Sequence, residues 1–247
     1  MSLYTSRSST PSQSPSSCIQ CKESVSSRHH ICNKPVKHTD DFKIVVILDE
    51  SGSMENIRKD MIKALNELIK EQKQLDRPCK FTFVKFNDRV KRVIENKDLK
   101  EVKNFSLDDY CPDRSTALYD AIGSTIEWFK YESNVLLVII TDGQENASKK
   151  YTKDEIFDLL DEKKKDSDWT YVYLSNDLTN SDQGTHMGLD TSLYSTNCVV
   201  DKDQFASYLS QDMNEAIYNF RANGKSVQSQ LNKGETPLKP QQRKVPF

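Results

Sequence analysis

One carboxylate and two hydroxyls lie close together directly after the first apolar run of the chain. Residues 43–48 are mostly β-branched and apolar, and Asp49, Ser51 and Ser53 follow them. The apolar run predicts a buried strand, and the helical pattern over 54–75 places the polar residues in the turn between strand and helix. Open α/β sheets bind their ligands in such loops. Oxygen ligands at this spacing favour a hard cation, Mg²⁺ or Mn²⁺.

Two later polar stretches also lie where a strand ends or a helix begins. Thr116 opens the apolar-periodic pattern over 116–129, which predicts a helix. Asp142 follows the run 134–141, which is apolar almost throughout and therefore predicts a central parallel strand covered on both faces. We expect Asp49, Thr116 and Asp142 to lie at the same edge of the sheet.

Three segments together resemble the metal-ion-dependent adhesion site of von Willebrand factor A domains: D-x-S-x-S at 49–53, S-T-A-L-Y-D-A-I at 115–122 and V-I-I-T-D-G at 138–143. The resemblance covers about 42–220 and is closest to small intracellular A domains of bacteria, phages and large DNA viruses. It implies that the hydroxyls of the two serines and of Thr116 contact the cation directly. The two aspartates would act directly or through water, and an Asp or Glu of a partner protein would fill the open metal position.

Each of these residues could also have a purely structural role. The aspartate and serines of the first loop could cap the following helix, Thr116 and Asp120 could form hydrogen bonds at a helix start, and Asp142 could belong to a common turn. The order and spacing of the three segments favour the metal site over these separate roles.

Arg114 departs from the family pattern, because many relatives have glycine just before the segment that begins at 115. A bulky cation there would alter the loop geometry or place a positive charge beside the metal, which would help an acidic ligand to bind. Glu50 and Glu145 lie in the neighbouring loops and would oppose that effect.

The alternation of strand and helix patterns predicts an α/β fold. We expect a three-layer, doubly wound, mostly parallel sheet with one antiparallel edge strand, a Rossmann-like A domain with flexible N- and C-terminal tails. The other predicted strands cover 80–86, 89–94, 169–174 and 192–200. The remaining predicted helices cover 152–164, after a capping box, and 203–223. Residues 177–189 are predicted to form a loop with a short helix.

The chain divides into four predicted regions. Residues 1–17 are rich in Ser, Thr and Pro and are predicted to be a disordered tail, 42–223 form the A domain, and 224–247 form a basic disordered tail. Residues 18–41 are either a linker or a small zinc knuckle. The tightest zinc-ligand set would be Cys18, Cys21, His30 and Cys32, with His29 or His38 as substitutes.

Composition narrows the range of partners. The chain has 35 basic and 37 acidic residues, so its net charge does not favour nucleic acid as a partner. No apolar run is long enough to span a bilayer, and the N-terminus lacks the apolar core of a secretory signal. We therefore expect an intracellular, cytoplasmic protein without a membrane segment.

These features predict a non-enzymatic, metal-dependent protein-binding module. An alternative is a subunit that docks on a larger machine such as an AAA+ ATPase, with the basic tail as a tether. A metal-dependent hydrolase using Asp49 is a further alternative. Three of the four histidines lie in the N-terminal segment, and His186 is more typical of a surface or packing residue, so the predicted metal edge lacks a Ser-His-acid or Cys-His set.

Overall fold

The structure is a computed structural model that describes residues 41–165, 169–175, 187, 195–199 and 204–223. The predicted tails, the Cys/His segment up to residue 40 and almost all of the predicted loop 177–189 lie outside the described residues.

Six strands of the described residues form one sheet. The strands are β1 Phe42–Asp49, β2 Cys79–Phe86, β3 Val90–Asp98, β4 Val135–Ile140, β5 Trp169–Ser175 and β6 Ser195–Val199. Their order is β3-β2-β1-β4-β5-β6. All neighbours are parallel except β3, which pairs antiparallel with β2 at one edge. This confirms the predicted mostly parallel α/β sheet with an antiparallel edge strand.

Helices cover both faces of the sheet. A 3-10 helix, Gly52–Ile57, leads directly into α1, Arg58–Gln72; α2 is Leu118–Phe129 and α3 is Lys153–Lys165. The last helix, α4, consists of Phe205–Tyr208, a π-helical turn Leu209–Met213 and Asn214–Asn223. Short 3-10 turns at Leu99–Glu101 and Leu107–Asp109 lie between β3 and α2.

The alternation of side chains along β1 divides the core into two layers. Ile44, Val46 and Leu48 belong to a buried cluster with α1 and α4, whereas Val45 and Ile47 belong to a second cluster with α2 and α3. Successive strand residues point to opposite faces, so an unbroken apolar run is what a strand between two helical layers requires. The sheet therefore forms the middle of three layers.

Three predicted boundaries differ from the structure. The first helix begins as a 3-10 turn and its α-helical part starts only at Arg58, while the second helix starts at Leu118 because Ala117 is not helical (φ −96°, ψ 64°). The strand predicted over 89–94 continues to Asp98. Its outer half is polar because it lies at the sheet edge, and Asn96 takes a positive φ of 44° where the pairing with β2 shifts register.

Candidate metal site

The predicted metal ligands all lie at the carboxyl edge of the parallel strands. Asp49 is the last residue of β1, and Asp142 lies two residues beyond β4, the strand that pairs directly with β1. Ser51 and Ser53 occupy the start of the connection from β1 to α1, and Thr116 lies just before α2. The fold therefore brings together side chains from three separate segments, as their positions after strands and before helices predict.

Hydrogen bonds join the two serines to the second aspartate. Ser51 Oγ lies 3.1 Å from Ser53 Oγ, and Ser53 Oγ donates a hydrogen bond of 2.5 Å to Asp142 Oδ1. Ser51 is buried, whereas Ser53 is exposed and Asp142 is half-buried. This group of oxygens therefore extends from the protein interior to the surface.

Gly143 leaves room for the other two ligands to approach each other. A Cβ atom at this position would lie 2.8 Å from Thr116 Oγ1 and 3.4 Å from Asp49 Oδ2, the first of which is shorter than real contacts allow. A larger residue would therefore displace the threonine hydroxyl. The backbone here forms a cradle around carboxylate and hydroxyl oxygens, which are the ligands that Mg²⁺ and Mn²⁺ prefer.

A metal site built from the described residues of this edge would combine carboxylate oxygens with hydroxyl oxygens. Among the described residues, no group of three or more His, Cys, Asp or Glu side chains could hold a metal ion. The predicted set combines two carboxylates, Asp49 and Asp142, with three neutral hydroxyls. The residues present suit a hard divalent cation and do not suit a soft metal that needs thiolate or imidazole ligands.

Asp49 is a buried carboxylate whose charge is only partly satisfied. It has no exposed surface, and burial raises its pKa from 3.8 to about 6, with a smaller contribution from repulsion by Asp142. Hydrogen bonds from Thr141 Oγ1 (2.6 Å) and from the Ser51 backbone N–H (2.7 Å) oppose this rise. A divalent cation would favour the charged form that burial disfavours.

Two residues that the sequence analysis did not select also hold Asp49 in place. The Tyr110 hydroxyl donates to the Asp49 carbonyl oxygen at 2.5 Å, and Thr141 holds the carboxylate. Thr141 could have been found from its position beside Asp142. Tyr110 is 61 residues away from Asp49, so its neighbours in the sequence do not indicate this contact.

The two loop glutamates, Glu50 and Glu145, each accept two or more hydrogen bonds. Glu50 pairs with Lys85 Nζ at 2.7 Å and accepts the Cys111 backbone N–H at 2.6 Å. Glu145 accepts backbone N–H groups of Tyr119, Ala147 and Ser148. The charge of each carboxylate is therefore stabilised locally by donors that surround it.

The loop after β4 is fastened to the start of α2. Asn146 Oδ1 accepts the Thr116 N–H at 2.9 Å, and the Thr116 carbonyl accepts N–H groups of Asn146 and Ala147. Asp120 of α2 accepts the backbone N–H groups of Lys149 and Lys150. The segments that carry Thr116 and Asp142 are therefore held to each other.

Comparison with known proteins identifies the family. The family model of the von Willebrand factor type A domain matches residues 43–182, which is more than half of the chain and includes every predicted ligand of the metal edge. The chain belongs to the von Willebrand factor type A domain family. No curated protein sequence gives a significant match.

Solved structures share the A-domain fold at low sequence identity. The hypothetical protein BatB from Bacteroides thetaiotaomicron matches with a TM-score of 0.51 and 16% identity over 78% of this chain and 99% of that chain. Proximal thread matrix protein 1 from the mussel byssus matches with a TM-score of 0.50 and 16% identity over 68% of this chain and 44% of that chain. Another structure of the mussel protein, with a zinc-occupied MIDAS motif, has a TM-score of 0.49, 16% identity and coverage of 73% and 48%. The chain spans less than half the length of the mussel structures.

Arg114 of this A domain occupies a position that favours glycine. Its φ of 71° lies in the left-handed region, which accounts for the glycine expected there in relatives. Its carbonyl accepts the Gly52 N–H at 3.1 Å, so the strained residue holds the loop that carries the two serines. Its guanidinium contacts Asp88 at 3.1 Å and Asp113 at 3.4 Å, so two carboxylates share its charge.

Other predicted features of the A-domain protein fall outside the described residues. The proposed zinc ligands Cys18, Cys21, His30 and Cys32, the substitutes His29 and His38, and His186 all lie there. Within the described part of the chain, no helix has the length and apolar character needed to cross a membrane.

Proposed function

We propose that this A domain is a metal-dependent protein-binding module. Asp49, Ser51, Ser53, Thr116 and Asp142 would hold one Mg²⁺ or Mn²⁺ ion. When bound, the ion would supply an open coordination position for a carboxylate oxygen of an Asp or Glu on a partner protein. The observation that carries this proposal is the convergence of the two aspartates and three hydroxyls around the cradle at residue 143.

The charges at the edge explain why the partner should be acidic. Hydroxyls are neutral, so the protein would balance a divalent charge only if both aspartates coordinated the ion directly. An aspartate that bound the ion through water would leave this balance incomplete. A lysine or arginine of a partner has no lone pair to offer while protonated, whereas an aspartate or glutamate does. The edge therefore favours a carboxylate ligand.

The predicted metal ligands range from buried to exposed, which suits binding of a partner side chain at the surface. Asp49 and Thr116 are buried and would hold the inner side of the ion, whereas Ser53 is exposed and marks the outer side. A partner side chain would approach from that side. The chemistry that we propose for this edge is binding without a catalytic step.

The cell biology that we propose follows from sequence resemblance. We infer an intracellular protein related to the small A domains of bacteria, phages and large DNA viruses, and docking on a larger machine such as an AAA+ ATPase is one form that partner binding would take. Zinc binding by the segment 18–41 remains a separate prediction, tested by metal analysis of the full chain.

Thr116→Ala provides the test of the metal site, because it removes one ligand oxygen and no charge. We expect calorimetry to show Mn²⁺ binding to the wild-type protein at one site and an affinity about tenfold lower or weaker still in the variant. Thr125→Ala is the matched control. Thr125 lies in α2, the helix that follows Thr116, and its hydroxyl donates to the Ala121 carbonyl, away from the metal edge.

A second titration tests the acidic ligand. Acetate, added to the Mn²⁺-loaded protein and followed by the electron paramagnetic resonance of Mn²⁺, should change the spectrum of wild type in a saturable way. Equal Mn²⁺ affinity in wild type and Thr116→Ala would refute the metal site. Normal Mn²⁺ binding without an acetate effect would refute the carboxylate ligand.

A further inference from the structure

The opposite edge of the sheet contains a cavity lined by basic side chains. Its volume is about 280 Å³, and it lies beside Cys79, the first residue of β2. Asp49 is seven residues along β1 from Phe42, which pairs with Cys79, so roughly 23 Å separates this cavity from the metal edge at 3.3 Å per residue. Its lining includes Gln72, Lys73, Arg77, Lys100 and Arg221.

Arg221 of α4 is an almost fully buried arginine that faces this cavity. Its relative exposure is 3%, and its Nη1 donates to the Gln72 carbonyl (2.8 Å) and to Gln72 Oε1 (3.0 Å). Its Nη2 donates to the Arg77 carbonyl at 3.3 Å, and its Nε has no acceptor in the described part of the chain. The guanidinium therefore has unused N–H donors although it is removed from water.

Arg77 forms a reciprocal contact that places two like charges side by side. Its Nη1 donates to the Arg221 carbonyl at 2.6 Å. Each arginine thus binds the backbone of the other, near the C-terminal ends of α1 and α4. Lys73 also donates to a backbone carbonyl, that of Val102. Among the described residues, no carboxylate forms an ion pair with any of these three cations.

Other groups at the cavity do not supply the missing negative charge. Asp76 pairs with Lys100 at 2.8 Å, and Asp98 pairs with Lys80 at 3.8 Å. Burial raises the pKa of the Cys79 thiol to about 11, so this group stays neutral at physiological pH. The helix C-termini provide only about half a negative charge each, which leaves the cluster positive.

We propose that this cavity binds a small oxyanion between the guanidinium groups of Arg77 and Arg221. Guanidinium donors recognise carboxylate and phosphate through paired N–H groups, which matches the unused donors of Arg221. The volume lies just below the usual range of about 300–1,000 Å³ for small-molecule pockets, so the ligand is a small anion. Both inorganic phosphate and a carboxylate group have the required chemistry. The proposal is independent of the metal edge.

Calorimetric titration of the full chain with phosphate tests the site at constant ionic strength. Wild type should bind phosphate at one saturable site, and Arg77→Gln should weaken binding at least tenfold. Arg77 is exposed, so the protein should tolerate this change. Lys63→Gln is the matched control, because it removes one charge from an α1 lysine that is 75% exposed and does not line the cavity.

Two further measurements identify the anion and show whether a loss of binding comes from loss of the fold. Acetate in place of phosphate distinguishes a carboxylate site from a phosphate site, and saturable binding of either supports the proposal. Arg221→Lys keeps the charge but removes the paired donors, and should also weaken binding at least tenfold while the far-ultraviolet circular dichroism is unchanged. Binding that does not saturate, that chloride reproduces, or that Arg77→Gln leaves intact would overturn the proposal.

Discussion

The carboxyl edge and the amino edge of this sheet carry charged side chains of opposite sign. At the carboxyl edge, Asp49 and Asp142 come together with neutral hydroxyls. At the amino edge, Arg77 and Arg221 come together with Lys73, and their donors bind carbonyl oxygens. Each arrangement brings like charges close to each other, which favours binding of a ligand of opposite sign.

The two edges differ in how the sequence produces them. The predicted metal ligands of the carboxyl edge lie in three short segments that follow strands or precede helices. Parallel strands place all their carboxyl ends at the same edge of the sheet, so these segments come together. The amino edge depends on the contact of Arg77 with Arg221, 144 residues apart, through helix ends. A site built on strand ends can be recognised from local patterns, whereas a site built on helix packing requires the structure.

The largest expected effect comes from removing the buried charge of the carboxyl edge. Asp49→Asn keeps the shape of the side chain but removes its charge, and we expect Mn²⁺ affinity to fall about 100-fold or more, since even residues that only support metal ligands contribute 10–100-fold. Calorimetry would measure the change. Phosphate affinity at the amino edge, roughly 23 Å away, should stay within about twofold. An unchanged Mn²⁺ affinity would contradict the assignment of Asp49.

Asp49→Asn also tests how much the buried charge of Asp49 lowers the free energy of unfolding of the metal-free protein. The folded-state pKa of Asp49, about 6, lies above the ordinary value of 3.8, so the folded protein binds its proton more tightly than the unfolded chain. The free energy of unfolding should therefore fall as pH rises from about 4 through 6, by about 3 kcal/mol in total from this group.

Urea unfolding in EDTA at several pH values would measure that difference. The free energy of unfolding of Asp49→Asn should not show the decrease with pH that Asp49 causes, so the variant should be more stable than wild type at pH 7. In saturating Mg²⁺ at pH 7, wild type should instead be the more stable protein, because the ion stabilises only the wild-type folded state. Parallel pH profiles of the two proteins would show that burial of Asp49 has no such cost.

A smaller effect is expected from disturbing geometry at this edge without changing charge. Gly143→Ala would place a Cβ 2.8 Å from Thr116 Oγ1, so we expect the hydroxyl to move and Mn²⁺ affinity to fall about tenfold. Gly52→Ala is the control in the neighbouring loop, because its Cβ would lie 3.7 Å or more from its nearest neighbours, an ordinary contact. Equal Mn²⁺ affinities in the two variants would show that close packing at residue 143 does not matter.

Much of the fold could be predicted from local patterns. The alternation of strand and helix patterns predicted the sheet. The apolar runs of β1 and β4, with the polar residues after them, predicted its parallel centre and the edge where Asp49 and Asp142 meet. The outer end of β3 was missed because an edge strand has polar residues on its exposed side, so hydropathy does not mark where it ends.

Contacts between distant segments could not be predicted in this way. Tyr110 reaches the Asp49 carbonyl, and Asn146 accepts the Thr116 N–H, through loops whose path depends on the packed fold. A polar residue in a loop has many potential partners, and its sequence neighbours do not distinguish between them. The glycine that we expect in relatives at residue 114 has a local explanation instead. The observed φ of 71° lies in the region that glycine adopts without steric strain.

The smallest expected effect concerns the positive charge of Arg114, which lies in a loop at the carboxyl edge. Arg114→Gly relieves the left-handed φ but gives up two exposed ion pairs and gives the unfolded chain more freedom, so these terms partly cancel. We expect the melting temperature to change by less than about 4 °C. Asp88 and Asp113 already share the guanidinium charge, so acetate affinity of the Mn²⁺-loaded protein should change less than about twofold. Arg114→Lys, which keeps both the charge and the strained backbone, is the control. A tenfold loss of acetate affinity in Arg114→Gly alone would show that Arg114 attracts the ligand, and the carboxyl edge would then combine a cation site with an arginine that recognises the same carboxylate.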